Sequence, residues 1–202
     1  MVNTAYLMLL FPLAGFLILL AFGRRMGEPA AGWVGTVAVF ASFASACVVL
    51  AGLLGQSADH RVVVHDYFTW FQAGGLRVPV GTLVDPLSMT MCLFVTFVSG
   101  FIHLYSIEYM KGDRDFTKFF VYLNLFVFSM LLLVLGNNLL ITFVGWEGVG
   151  VCSYWLVAFW FHRESAASAG KKAFIYNRIG DAGFLLAIFL IFERTGFIRQ
   201  SR

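Results

Sequence analysis

The chain has 202 residues, of which 60% are hydrophobic and only 12% are charged. A soluble domain carries about 25% charged residues, so this composition excludes a protein whose whole surface faces water and indicates an integral membrane protein. The formal charge of +3 is too small and too dispersed for a nucleic-acid-binding protein.

Six apolar segments each approach the ~20 residues that a helix needs to cross the hydrocarbon core of a bilayer. No Lys or Arg precedes the first segment and Arg24 and Arg25 follow it, which is the reverse of the charge order in a signal peptide. We therefore predict an all-α fold, a polytopic bundle of about six transmembrane helices. The segments are Ala5–Phe22, Trp33–Leu54, Leu87–Tyr109, Phe119–Leu135, Leu139–Phe161 and Ala173–Phe192.

Positive charges are distributed unequally between the two sets of loops. If the N-terminus lies outside, more of the lysine and arginine residues fall on the inner side, as the positive-inside rule requires. We therefore predict an external N-terminus. The inner residues are Arg24, Arg25, Lys111, Arg114, Lys118, Arg163, Lys171 and Lys172, and the outer ones are Arg61, Arg77, Arg194, Arg199 and Arg202.

A hydrophilic stretch separates the second and third helices. Within it, Asp66–Gln72 and Leu76–Val84 are rich in aromatic and β-branched residues and flank the flexible Ala73-Gly74-Gly75. This pattern predicts a small external β-hairpin. Asp85 and Pro86 then match an N-cap and a first helical residue, so they predict the start of the third helix.

Residues that bind redox groups are few. Cys47, Cys92 and Cys152 all lie in apolar helices without metal-site spacing, so we interpret them as buried small hydrophobic residues. A b-type haem would need two histidines at membrane depth, and His103 is the single histidine within an apolar segment. We therefore predict no redox centre in this chain.

Glu147 is the most unusual residue of the sequence. It lies in Gly145-Trp146-Glu147-Gly148-Val149-Gly150, roughly 13–15 Å into the fifth helix and close to the bilayer midplane. An acidic residue at that depth costs roughly 2.5–3.5 kcal/mol on insertion scales, so a functional role as a proton carrier is favoured over a structural one. The surrounding glycines lie in mid-helix and predict close helix packing.

The sixth helix carries a second charged group. Arg178 and Asp181 are three residues apart, so they share a helix face and can pair, and Asp181 lies at a depth similar to that of Glu147. Lys172 precedes them at the inner entrance to the helix. Two structural alternatives stay open: an Arg178–Asp181 pair that only fixes packing, and a Lys172 that is a solvated interfacial anchor.

Five motifs occur in the same order as in one known family. Together they resemble the N-terminal part of subunit L (chain 5) of proton-translocating NADH:quinone oxidoreductase, respiratory complex I, an antiporter-like subunit family. The motifs are Asp85-Pro86-Leu87-Ser88; His103-Leu104-Tyr105-Ser106 with Tyr109-Met110; Phe119-Phe120 followed by Tyr122 and Asn124-Leu125-Phe126; Gly145–Gly150 with Cys152-Ser153-Tyr154; and Lys172-Ala173-Phe174 with Asn177–Asp181.

The resemblance implies a membrane-arm subunit that takes part in redox-coupled proton translocation. Glu147 matches the family's membrane-embedded glutamate, Arg178 and Asp181 its charged pair on the sixth helix, and Lys172 a lysine just before that helix, all in the proton pathway. NADH, FMN, iron–sulfur clusters and quinone are expected in other subunits, with no cofactor in this chain. The expected partners are the lipid bilayer and the other membrane-arm subunits, in a bacterial cytoplasmic or an organelle inner membrane.

The chain is expected to divide into five parts. They are two transmembrane helices (1–56), an external hairpin loop (57–84), the third helix (85–110), the first three helices of an incomplete proton-channel repeat (111–193) and a polar tail (194–202). Family members are expected to be longer, with a lysine on a seventh helix. The alternatives are the large subunit of a sodium/proton antiporter or of a membrane-bound hydrogenase, and a truncated, non-transporting membrane fragment or scaffold.

Overall fold

The computed structural model describes residues 4–57, 61–73 and 76–196. Over these ranges it contains six helices, all long and apolar enough to cross a membrane, and one two-stranded antiparallel sheet. The predicted all-α bundle with a small hairpin is thereby confirmed. The elements are α1 (Tyr6–Met26), α2 (Ala30–Leu54), β1 (Val63–Ala73), β2 (Leu76–Val84), α3 (Pro86–Tyr109), α4 (Phe116–Leu135), α5 (Leu139–Val157) and α6 (Glu164–Thr195).

Helices α1 to α4 form a bundle in which all four helices meet at one buried amide side chain. Asn124 of α4 lies between Gly15 of α1 and Gly35 of α2, since a Cβ atom on either glycine would come within 2.6 Å of the amide. Its Nδ2 atom also lies 3.3 Å from Nε2 of His103 on α3. All four helices therefore meet at one side chain, because glycine lets two of them approach it closely.

Helix α1 contains a proline in its interior. Pro12 has no N–H group, so the carbonyl oxygen of Met8, four residues earlier, loses its donor within the helix. The hydroxyl of Ser42 on α2 donates to that oxygen at 2.7 Å. A neighbouring helix thus satisfies the backbone group that the proline frees, as a membrane-spanning segment requires.

The predicted hairpin is present, and it begins three residues earlier than expected, at Val63. Its register runs from Val63↔Val84 to Ala73↔Leu76, while the glycines of the predicted turn lie outside the described residues. The predicted cap of α3 is confirmed. Asp85 accepts from the Ser88 N–H at 2.7 Å, and Ser88 Oγ accepts in return from the Asp85 N–H.

Polar contacts fasten the hairpin to the turn between α4 and α5. Asn137 Nδ2 donates to Asp66 Oδ1 at 2.6 Å, and Asn138 Nδ2 donates to the Pro79 carbonyl at 2.7 Å. The Asn138 side chain also caps α5 by accepting from the Ile141 N–H. The first turn of α5 is therefore fixed directly by the hairpin.

The turns α1–α2, α3–α4 and α5–α6 lie together at the opposite end of the bundle. The Gly112 N–H donates to Glu28 Oε2 at 3.0 Å, and Trp160 Nε1 donates to Asp113 Oδ2 at 2.9 Å. These contacts join the three turns that the predicted topology places on the inner side. The helices therefore alternate in direction along the chain, as the predicted topology requires.

Three helix boundaries differ from the predicted ones by four residues or more. Helix α5 ends at Val157 rather than Phe161, α1 continues to Met26, and α6 begins at Glu164 rather than Ala173. Arg24 and Arg25 consequently occupy the last turn of α1. Hydropathy locates the apolar part of a helix, whereas α1 and α6 continue into polar sequence. The predicted polar tail begins inside α6, and its residues 197–202 lie outside the described ranges.

Candidate functional site

Helix α5 packs closely against α4 at its glycines. A Cβ atom on Gly145 would lie 2.4 Å from the backbone nitrogen of Leu133, and one on Gly148 would lie 2.5 Å from Ser129 Oγ. The predicted packing role of these glycines is confirmed. Glu147, between them in sequence and near the middle of α5, contacts α6 instead.

Three charged side chains meet between α5 and α6. The guanidinium of Arg178 pairs with Glu147 Oε2 through Nη1, and the same nitrogen lies 3.4 Å from Asp181 Oδ2. Asp181 is almost fully buried with a side-chain exposure of 7%, whereas Glu147 and Arg178 are 25% and 38% exposed. We call these three residues the charge cluster. The arrangement holds two carboxylates and one cation, so it carries a net charge of −1 when both carboxylates are ionised.

The sequence predicted only part of this geometry. It paired Arg178 with Asp181, which lies within ion-pair distance, but it left Glu147 without a named partner. The ion pair of Arg178 with Glu147 crosses from one helix to the next, and such a contact depends on how the two helices are rotated. Residue spacing within either helix does not contain that information.

Two aromatic side chains complete the cluster, and the sequence analysis missed both. Trp146 Nε1 donates to Asp181 Oδ1 at 2.8 Å, and the Arg178 guanidinium carbon lies 4.9 Å from the ring centroid of Phe174. Asp181 thus has a hydrogen-bond donor at Oδ1 and a cation near Oδ2, which together offset the cost of its burial. The available signal was the depth of Trp146, because tryptophan usually lies at the membrane interface rather than at mid-helix.

Lys172 lies apart from the charge cluster. The prediction that it precedes the sixth helix is wrong, because α6 begins at Glu164 and Lys172 lies within it. Its side chain is exposed, and its Nζ atom lies 5.9 Å from the ring centroid of Tyr176. Among the described residues it makes no ion pair with Glu147 or Asp181. Its separation from Arg178 along the helix is about 9 Å at 1.5 Å per residue.

The residues considered for redox centres are placed as follows. Cys92 and Cys152 are buried as predicted, but Cys47 is exposed on α2, so its predicted burial is wrong. His103 is fully buried, with Nδ1 2.8 Å from the Ser99 carbonyl oxygen and Nε2 facing Asn124. In the described ranges, no group of three His, Cys, Asp or Glu side chains is placed to hold a metal ion.

Two family models match the chain. Residues 70–120 match the model described as NADH-ubiquinone oxidoreductase (complex I), chain 5 N-terminus. Residues 136–200 match the model described as NADH:quinone oxidoreductase/Mrp antiporter, TM. The second match contains all three residues of the charge cluster.

Curated relatives agree with these models. The chain is 46% identical over 97% of its length to NADH-quinone oxidoreductase subunit L of Mycobacterium tuberculosis, and 36% identical over 96% to the Escherichia coli subunit L. It is 38% identical to NADH-ubiquinone oxidoreductase chain 5 of Dictyostelium discoideum over 94% of its length. The chain spans about a third of the length of these relatives, 31% of either subunit L.

A solved structure shares the fold. A chain of the membrane-bound sulfane sulfur reductase, an archaeal respiratory membrane complex, superposes with a TM-score of 0.82 at 16% sequence identity. The match covers 96% of this chain and 38% of that one. The chain belongs to the subunit L (chain 5) family of NADH:quinone oxidoreductase, an antiporter-like family of multi-pass inner-membrane proteins, and corresponds to the N-terminal part of that subunit.

Proposed function

We propose that the chain contributes the first proton-transfer site of a membrane-arm subunit of NADH:quinone oxidoreductase, with Glu147 as the residue that takes up and releases the proton. One observation carries the proposal: two carboxylates on adjacent helices share one guanidinium inside the membrane-spanning region. A purely structural ion pair needs one carboxylate per arginine. Because a second carboxylate is present, Arg178 can pair mainly with Glu147 or mainly with Asp181, so the cluster has two alternative ion-pairing arrangements.

The proton-transfer step is electrostatic. When Glu147 is ionised, Arg178 pairs with it, and Asp181 is held mainly by the hydrogen bond from the Trp146 indole. When Glu147 takes up a proton, that ion pair weakens and the guanidinium is free to approach Asp181. With Glu147 protonated and Asp181 ionised, the cluster has no net charge.

The driving force would come from outside this chain. Quinone reduction in another subunit would change the charge of neighbouring sites and shift the balance between the two arrangements. In this proposal NADH, FMN, iron–sulfur clusters and quinone all belong to other subunits, and the partners are the other membrane-arm subunits. Lys172, exposed on α6, would help to deliver protons from the inner surface.

The chain spans 31% of the subunit L relatives, and in this proposal the remaining parts of the subunit would complete the transport pathway. The proton released by Glu147 would pass to a lysine on a following helix, as the family resemblance implies. The charge cluster would therefore be one end of a longer pathway.

The test replaces Glu147 by Gln in the complete subunit, within the assembled complex in sealed vesicles. We expect Glu147→Gln to lower proton translocation per NADH oxidised, because glutamine cannot bind and release a proton. The matched control is Glu108→Gln, which changes an exposed glutamate paired with Lys111. Normal coupling in Glu147→Gln with correct assembly would refute the proposal and favour the non-transporting scaffold.

A second candidate is supported by one finding. The model matching residues 136–200 is described as covering both NADH:quinone oxidoreductase and the Mrp antiporter. A sodium/proton antiporter would use the same carboxylates for a second ion. The test is sodium uptake into the same vesicles in the absence of NADH. Uptake by the wild type that is lost in Glu147→Gln would establish this alternative.

A further inference from the structure

A cleft opens beside α4 and α5, away from the charge cluster. Its volume is about 150 Å³, and it lies at the end of the bundle that carries the α3–α4 and α5–α6 turns. A drug-sized ligand needs roughly 300 Å³ or more, so the cleft itself can hold only part of a larger ligand. The lining residues are Lys118, Tyr122, Tyr154, Trp155, Ala158, Phe159 and Phe161.

The walls of the cleft are aromatic, and contacts between the rings fix their orientations. The rings of Tyr122 and Trp155 are stacked with centroids 5.0 Å apart at an interplanar angle of 29°. Phe159 packs edge-on against Phe119 at 5.2 Å and approaches Tyr122 at 6.4 Å. Such contacts hold the rings in fixed orientations, so a ligand would find a preformed apolar wall.

The mouth of the cleft carries a positive charge. Lys118 lies in the first turn of α4, and its Nζ atom is 6.0 Å from the ring centroid of Tyr122. In the described part of the chain no carboxylate lies within ion-pair distance of it. Lys111, in the preceding turn, differs because it pairs with Glu108 at 3.0 Å. The charge of Lys118 is therefore available for an anion at the membrane interface.

We propose that this cleft binds an anionic phospholipid. Its phosphate would lie beside Lys118, and one acyl chain would run along Tyr122 and Trp155 into the hydrocarbon region. Two features favour a lipid over a free anion: the aromatic wall continues from the cation toward the membrane interior, and the cleft is at interfacial depth. Basic sites between transmembrane helices are known to select anionic headgroups. This inference does not depend on the proton-transfer proposal.

The experiment uses the assembled complex in phosphatidylcholine nanodiscs containing a small fraction of a photoreactive lipid. The probe is phosphatidylglycerol with a diazirine on one acyl chain, and the same diazirine on phosphatidylcholine gives the neutral comparison. After illumination, mass spectrometry measures labelling of the peptide that contains Tyr154–Phe161. Labelling of Phe94–Phe101, a segment of α3 with exposed aromatic side chains, provides the internal standard for bulk lipid.

We expect the phosphatidylglycerol probe to label the cleft about fivefold more than the phosphatidylcholine probe, as one lysine near the surface predicts. Lys118→Gln should remove this preference, Lys118→Arg should keep it, and Lys111→Gln should leave it unchanged. Equal labelling by the two probes, an unchanged preference in Lys118→Gln, or no labelling of the cleft by either probe would overturn the proposal. Loss of the preference in millimolar inorganic phosphate, with acyl labelling otherwise intact, would overturn lipid as the source of the bound anion.

Discussion

The contact of Ser42 with the backbone of α1 can be measured by a double-mutant cycle. Ser42→Ala leaves the Met8 carbonyl oxygen without a donor, since Pro12 cannot supply one and both Met8 and Ser42 are fully buried. Leaving a buried acceptor unsatisfied costs about 1–3 kcal/mol, whereas side-chain hydrogen bonds measured within membranes average about 0.6 kcal/mol. We expect Ser42→Ala to lower the free energy of unfolding by about 1–2 kcal/mol, because here the alternative helical donor is missing.

The cycle is completed with Pro12→Ala, which restores an N–H group to α1. In that background the Met8 carbonyl regains its helical donor, so Ser42→Ala should cost at least about 1 kcal/mol less than it does beside Pro12. The free energies are measured by detergent-induced unfolding of the purified protein in mixed micelles.

The matched control is Thr36→Ala on the same helix. The Thr36 hydroxyl donates to the Gly32 carbonyl of α2 itself, an oxygen positioned to accept from the helix as well. We therefore expect Thr36→Ala to cost clearly less than Ser42→Ala. If Ser42→Ala costs the same with and without the Pro12→Ala substitution, the proline does not leave the Met8 carbonyl dependent on Ser42.

Three further outcomes are expected. Gly145→Ala should destabilise the protein by about 1–3 kcal/mol in the same unfolding assay because its Cβ would overlap the backbone of α4, whereas Gly180→Ala, which meets nothing within 4 Å, should be neutral or stabilising. Asn138→Ala should cost about 1 kcal/mol or more by removing the cap of α5, and faster proteolysis of the hairpin would show that its anchor is lost as well. Burial raises the pKa of Tyr67 above its ordinary value of 10.0, with its hydrogen bond to Thr82 opposing the shift, so phenolate absorbance should show Tyr67 ionising at higher pH than free tyrosine. The stability linked to that shift is complete below pH 10 and is lost as the pH rises through the raised value, and Tyr67→Phe should remove this alkaline dependence.

Local sequence signals predicted the elements whose cause is local. Asp85 and Pro86 located the start of α3, because capping depends on a few neighbouring residues. The hairpin strands were recognisable from their aromatic and β-branched residues. The start of α6 was missed because its first turns are polar. The alanines at 166, 167 and 169 favour a helix there, so helix propensity contained a signal that hydropathy lacks.

The geometry of the charge cluster was only partly predictable from the sequence. The depth of Glu147 and the spacing of Arg178 and Asp181 placed all three at one level of the membrane. The sequence did not predict which carboxylate pairs most closely with Arg178, because that contact depends on how α5 and α6 are rotated and how closely they approach. The orientation of α5 depends in turn on the packing of Gly145 and Gly148 against α4, a contact between residues distant in sequence.

The ion pairs between α5 and α6 also bear on how the protein enters the membrane during synthesis. Inserted one at a time, α5 would carry an isolated glutamate and α6 an arginine with its aspartate, at roughly 2.5–3.5 kcal/mol for each charge at the helix centre. Inserted together as a helical hairpin, the two helices present one net charge, and the cation is neutralised before it meets lipid. The α5–α6 turn is short, so the partner segment leaves the ribosome soon after the first. The charge cluster is therefore expected to favour pairwise release of these helices from the translocon, and replacing both carboxylates, which leaves Arg178 without a counter-ion, should impair membrane insertion.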